Sequence, residues 1–148
     1  MLRRATRVHA AGHWPSDTAA GTVTLAFDDR FRRRIQLNDD SGAPFLLDLP
    51  RAVVLNDGDA LELDDGTCIA VRAADEDLAE VTCATPETLA RIAWHLGNRH
   101  LPVQIAGAAV RLRWDHVIVE MLRGLGADVV RLHASFTPEA GAYAHHDH

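Results

Sequence analysis

From Gly21 to about Val71 apolar and polar positions alternate with a period of two. Val23, Leu25 and Phe27 share one face, followed by Ile35 and Leu37, Leu61 and Leu63, and Ile69 and Val71. Such alternation places every second side chain on one face of a β-strand. Asn38-Asp39-Asp40-Ser41-Gly42, Asn56-Asp57-Gly58-Asp59 and Asp64-Asp65-Gly66 interrupt it with residues that supply tight turns. The pattern predicts a small all-β domain over residues 1–74. Small and acidic residues from Ala73 to Asp77 form its junction with the second half of the chain.

The period then changes. Leu78–Ala84 reads as a strand, and Thr85 with Pro86 reads as an N-cap and first-turn proline. Leu89, Ile92, Ala93 and Leu96 recur at helical spacing, with Gly97 expected as the left-handed residue that ends the helix. Val103–Ile105 and Val110–Trp114 flank Ala106-Gly107-Ala108 as a hairpin. Asp115 caps a second helix with the stripe Ile118, Met121, Leu122 and Leu125 and a stop at Gly126, and Val129, Val130 and Leu132 make a last strand. The order β-α-β-β-α-β predicts a ferredoxin-like domain over residues 75–136, with two helices on one face of a four-stranded antiparallel sheet. The fold class is therefore α+β. Residues 137–148, with Pro138 and Gly141 followed by histidines, are expected to form a flexible tail.

Charge narrows the function. A net charge of −6 lacks the positive field that drives broad nucleic-acid binding. The cluster of Arg30 with Arg32, Arg33 and Arg34 is expected to be a solvated strand edge. No apolar run reaches the roughly 20 residues of a membrane span. Met1-Leu2-Arg3-Arg4 has no apolar stretch behind it, so a cytoplasmic location is expected. Cys68 and Cys83 lack metal or disulfide spacing and are read as buried apolar side chains.

Histidine is the unusual feature: there are nine, and His145, His146 and His148 crowd the last four positions. His100 follows the first helix of the second domain in an accessible loop. On spacing alone such a residue is most simply satisfied by a hydrogen bond or by solvent; His95 is read as structural, and His9, His13 and His133 as structural or solvated.

The stretch Leu96-Gly97-Asn98-Arg99-His100-Leu101-Pro102-Val103-Gln104-Ile105 closely resembles the signature of the UreE urease accessory proteins. Asp115-His116-Val117 with Glu120-Met121-Leu122-Arg123 resembles that family's next helix, and Pro138-Glu139-Ala140-Gly141-Ala142-Tyr143 its segment before a histidine-bearing tail. Residues 1–74 match in kind the family's β domain, of partner- or peptide-binding type. The resemblance implies a non-enzymatic nickel carrier that passes Ni²⁺ to the urease apoprotein through a complex with the GTPase UreG. It implies a homodimer in which His100 of each protomer meets at the two-fold axis. The residue chemistry agrees, because imidazole suits Ni²⁺, one histidine per chain is too few ligands, and an isologous contact doubles the count. Cu²⁺ or Zn²⁺ binds such sites in vitro as well. His145, His146 and His148 are expected to act as a flexible ligand arm. His116 is an auxiliary candidate, although family members with a metal site there carry a histidine two positions earlier, where this chain has Trp114. The competing readings are a metal-dependent hydrolase, for which Asp115 and Glu120 are the available carboxylates, and a metal-storage or protein-binding module.

Overall fold

Alternation in the first half becomes a six-stranded mixed sheet of β1 (Arg3–His9), β2 (Gly21–Leu25), β3 (Phe31–Asn38), β4 (Pro44–Val54), β5 (Ala60–Leu63) and β6 (Cys68–Ala73), in the order β2-β6-β5-β1-β4-β3. The computed structural model describes residues 2–140 and divides into two units between Ala74 and Asp75. Val23, Leu25, Leu61, Leu63, Ile69 and Val71 all enter the core of the first unit. Phe27 does not extend β2, because Phe27–Asp29 forms a 3-10 turn.

Two strands lie outside the expected set. β1 lies between β5 and β4, antiparallel to one and parallel to the other. Its register slips between Ala5 and Arg7, so Ala5 and Val8, three residues apart, both pack on the core. β4 contributes Phe45, Leu47 and Leu49 to the same core. The arginine cluster also divides: β3 is an edge strand on which Arg33 and Arg34 are exposed, but Arg30 is buried, its guanidinium 5.7 Å from the Phe27 ring.

The Asp39–Ala43 turn is built around one carboxylate. Oδ1 of Asp39 accepts from Ser41 N at 3.0 Å, Ser41 Oγ at 2.6 Å and Ala43 N at 2.9 Å, while Oδ2 accepts from Arg3 at 3.1 Å. Gly42, at φ 91°, supplies the left-handed step. The Ser41 hydroxyl first, then the Ala43 amide, hold the Asp39 carboxyl down at about 2.

The second unit runs β7 (Asp75–Thr82), α1 (Pro86–Asn98), β8 (Gln104–Ala106), β9 (Ala109–Arg113), α2 (His116–Gly124) and β10 (Asp128–Ser135). Its antiparallel sheet has the order β10-β7-β9-β8. Cross-strand partners Ala79 and Leu112, and Val81 with Val110 and Val129, share one face with Ile92 and Leu96 of α1 and Val119 and Leu122 of α2. Burying each large aliphatic side chain of that group contributes about 1.5–3 kcal/mol. Thr85 caps α1 by accepting from Thr88 N, and Asp115 caps α2 by accepting from Val117 N and Ile118 N. The expected α2 stripe is rotated: Val119 is buried, Ile118 and Met121 are half-buried, and Leu125 is exposed.

The first residues of the expected flexible tail are instead tied to the second unit. Phe136, just before them, is fully buried, Thr137 N donates to Gln104 Oε1 at 3.1 Å, and Glu139 N donates to Val103 O at 2.7 Å. No helix among the described residues is long and apolar enough to cross a membrane.

Because the folded Asp39 carboxyl titrates below its ordinary value of 3.8, its contribution to stability is full above that value and is lost as pH falls from about 4 to about 2. Asp39→Asn should therefore be less stable than the parent at pH 6. That gap should close on acidification through this window, as measured by urea unfolding midpoints at each pH.

Candidate metal site

At the end of α1 the helix does not stop at Gly97 as expected. Helical structure continues through Asn98, Arg99 caps it, and His100 takes the left-handed position at φ 58°, the sole positive φ among described residues other than glycine. Two hydrogen bonds define the turn: His100 N donates to Gly97 O at 3.0 Å, and Leu101 N donates to Leu96 O at 3.2 Å. This is the Schellman arrangement, with Leu101 folding back against the core that holds Leu96.

The second helix ends the same way. Gly126 N donates to Arg123 O and Ala127 N to Leu122 O, with Gly126 at φ 94°. The two motifs match bond for bond, yet one has the glycine that costs nothing in this conformation and the other a histidine. A non-glycine residue held there costs about 1 kcal/mol or more. The imidazole obtained for that cost is exposed, on a turn pinned to the core on both sides. It also stands at the negative end of the α1 dipole, which favours a bound cation.

His116 occupies the opposite electrostatic setting. It is the first residue of α2, at the positive end of that helix, with Glu120 3.6 Å away on the next turn. Trp114 is an aromatic shelf: the Arg131 guanidinium lies 4.5 Å over its ring and is paired with Asp77 at 2.9 and 2.6 Å. That contact, chiefly its hydrogen bond, holds the Asp77 carboxyl below its ordinary range. His95 is half-buried with its ring edge-on to Trp94 at 5.1 Å, and His133 is exposed on β10. His145, His146 and His148 lie outside the described residues.

Among the described residues no group of three or more His, Cys, Asp or Glu side chains converges as a metal site. Asp115 is committed to its cap and Glu120 is exposed. Cys68 and Cys83 are half-buried, and burial first, with Glu62 and Asp128 respectively, raises both thiols above their ordinary value.

Two arrangements are invisible to motif spacing. His9, on β1, has Nε2 2.7 Å from Glu62 Oε1 of the paired strand β5, and both line a cleft of about 390 Å³ with His13, Trp14 and Cys68. Glu139 binds the segment just after His100, donating to Val103 O and accepting from Ile105 N at 3.2 Å. The His9 pairing needs strand register. The position of Glu139 needs the course of the chain after β10.

Comparison with known proteins matches residues 2–74 to the N-terminal domain, and residues 76–148 to the C-terminal domain, of the UreE urease accessory protein family. Proteins described as urease accessory protein UreE are similar across nearly the whole chain. One from Rhodopseudomonas palustris strain HaA2 is 55% identical over 141 residues, covering 95% of this chain and 65% of the relative. Another from strain BisB18 is 53% identical over 150 residues, covering 98% and 71%. One from Beijerinckia indica is 49% identical over 152 residues, covering 99% and 87%. The chain thus spans just under two thirds of the length of the first of these.

The left-handed turn predicts an unusual substitution profile. His100→Gly should raise the free energy of unfolding by roughly 1 kcal/mol, whereas His100→Ala, which keeps a Cβ at φ 58°, should give no such gain. Chemical denaturation of both variants without metal checks this. Equal stabilities would mean that the turn is not strained.

Proposed function

The chain belongs to the UreE urease accessory protein family, and from that membership we propose that it is a nickel carrier rather than an enzyme, serving assembly of the urease active site. Its cargo is Ni²⁺, held between two copies of the chain by His100 from each and passed to the urease apoprotein in a complex with the GTPase UreG. The second unit is read as ferredoxin-like on its strand order and serves nickel binding and dimerisation. The first, residues 1–74, serves partner binding. The protein works in the cytoplasm.

The observation that carries this reading is His100 itself: an exposed imidazole kept in a strained conformation where glycine would suffice. Within one chain's described residues no group of three or more potential ligands forms, so a second copy is the economical source of the next ligand for His100. Trp94 on α1 and Ile105 on β8, the elements on either side of the His100 loop, are 63% and 62% exposed, and apolar side chains so placed favour a contact between copies. Few imidazoles with remaining water positions leave the ion exchangeable, as a carrier requires. Cu²⁺ should outcompete Ni²⁺ in vitro and Zn²⁺ should also bind, so selection rests on supply and partners.

His145, His146 and His148 are proposed as additional ligands. Support comes from the chain before them, since Glu139 is tied to Val103, three residues from His100. His116 is the weaker auxiliary candidate, because the positive end of α2 disfavours a cation beside it.

Calorimetric titration with Ni²⁺ tests the central site: His100→Ala should abolish the tightest binding while sedimentation shows the dimer intact. Retention of that site at unchanged affinity would exclude His100. Removing residues 145–148 should lower the number of ions bound and weaken the remaining site without eliminating it. The same stoichiometry and affinity after truncation would exclude the terminal histidines as ligands.

A further inference from the structure

β8 is an edge strand, paired among the described residues only with β9, so the chain entering and running through it presents Val103 O and Ile105 N away from the sheet. Backbone groups two residues apart on one strand point the same way, toward the place where a neighbouring strand would lie. Glu139 satisfies both. Its amide donates to Val103 O at 2.7 Å, and its Oε1 accepts from Ile105 N at 3.2 Å, the side chain standing in for the carbonyl of an absent strand. A second tie lies beside it, from Thr137 N to Gln104 Oε1, and buried Phe136 anchors the chain just before.

Only Leu101 and Pro102 separate His100 from Val103. Leu101 is fixed by its bond to Leu96 O, and Pro102 has its φ fixed by its ring. The His100 turn is thus held to α1 on one side and, through Val103, to Glu139 on the other. Leu101 and Val103 are only half-buried against the core of the second unit, so the ties to Glu139 add to what keeps the short edge strand and its loop ordered.

We propose that Glu139 is a positioning residue for His100: it holds the 101–105 segment so that the imidazole keeps its ligand-ready direction. The proposal rests on the reading of His100 as a metal ligand. Glu139 is exposed, so trimming its side chain leaves no cavity; it removes the Ile105 tie while the backbone tie to Val103 stays, and its effect should fall on local order and on metal affinity rather than on the core. If the ligand-ready fraction falls to between about a third and a tenth, apparent affinity falls by the same factor, about threefold to tenfold.

The test uses the full chain, Ni²⁺ calorimetry and amide exchange at Ile105. Glu139→Ala should accelerate Ile105 exchange and weaken nickel binding by about threefold to tenfold, with little change in thermal midpoint. Glu139→Gln keeps an oxygen that can accept from Ile105 N and should restore affinity to within about twofold of the parent. If Glu139→Ala binds as the parent does, or if Gln falls as far as Ala, the positioning role is overturned, the second result pointing to carboxylate charge instead. Gln104→Ala loosens the neighbouring tie and should act in the same direction, which provides the measurement if Glu139→Ala does not fold. His100→Ala is run alongside. Loss of the site there with no effect at Glu139 overturns only the positioning, whereas retention of the site removes the premise as well.

Discussion

The end of α1 is the constraint on which the presentation of His100 depends. Leu96 is wholly buried, and its carbonyl accepts from both Arg99 N and Leu101 N, so the last turn of the helix is welded to the core of the second unit. That closure demands a left-handed residue at position 100. Backbone geometry alone would choose glycine, as it does at Gly126 in the matching turn of α2. A side chain at this position is carried outward on a rigid support, which is the condition for a ligand group to be positioned with little loss of entropy on binding. Core packing and helix termination therefore converge on one residue, and the stability given up is local and small.

The two helix ends also separate His100 from His116. A cation beside His100 faces the carbonyl end of α1. One beside His116 faces the amide end of α2, where Asp115 already accepts from two of those amides. Glu120 offsets part of that disadvantage, but it is exposed and the pair is screened by water and salt. Both histidines are equally accessible in sequence terms. The fold makes them unequal.

Much of this architecture is legible in the residue pattern. The change from period two to helical spacing, the caps Thr85 and Asp115, and the β-α-β-β-α-β order are local signals, written by residues near each other in the chain. β1 is not legible, because a bulge breaks its alternation and Ala5 and Val8 look unrelated until the strand is paired on both sides. Gly97 misleads for a physical reason: glycine is tolerated inside a helix at a modest cost, and the left-handed step is set by the tertiary contact of Leu101, which no propensity contains. The candidate site shows the same division. His100 is marked by its neighbours in sequence, whereas Glu139 becomes meaningful only when the chain after β10 returns to the edge of β8.

That return also bears on how an edge strand as short as β8 is kept in place. A longer strand fully paired on both sides would fix the His100 loop more firmly, but it would cover the outer edge of β8. Three residues paired on one side, with a single glutamate completing the other, hold the loop while leaving Ile105 and Trp94 uncovered. Hydrogen bonds at the rim then add to the partial burial of Leu101 and Val103 against the core. Rim bonds can exchange with water at small net cost, so the arrangement orders the His100 loop without locking it.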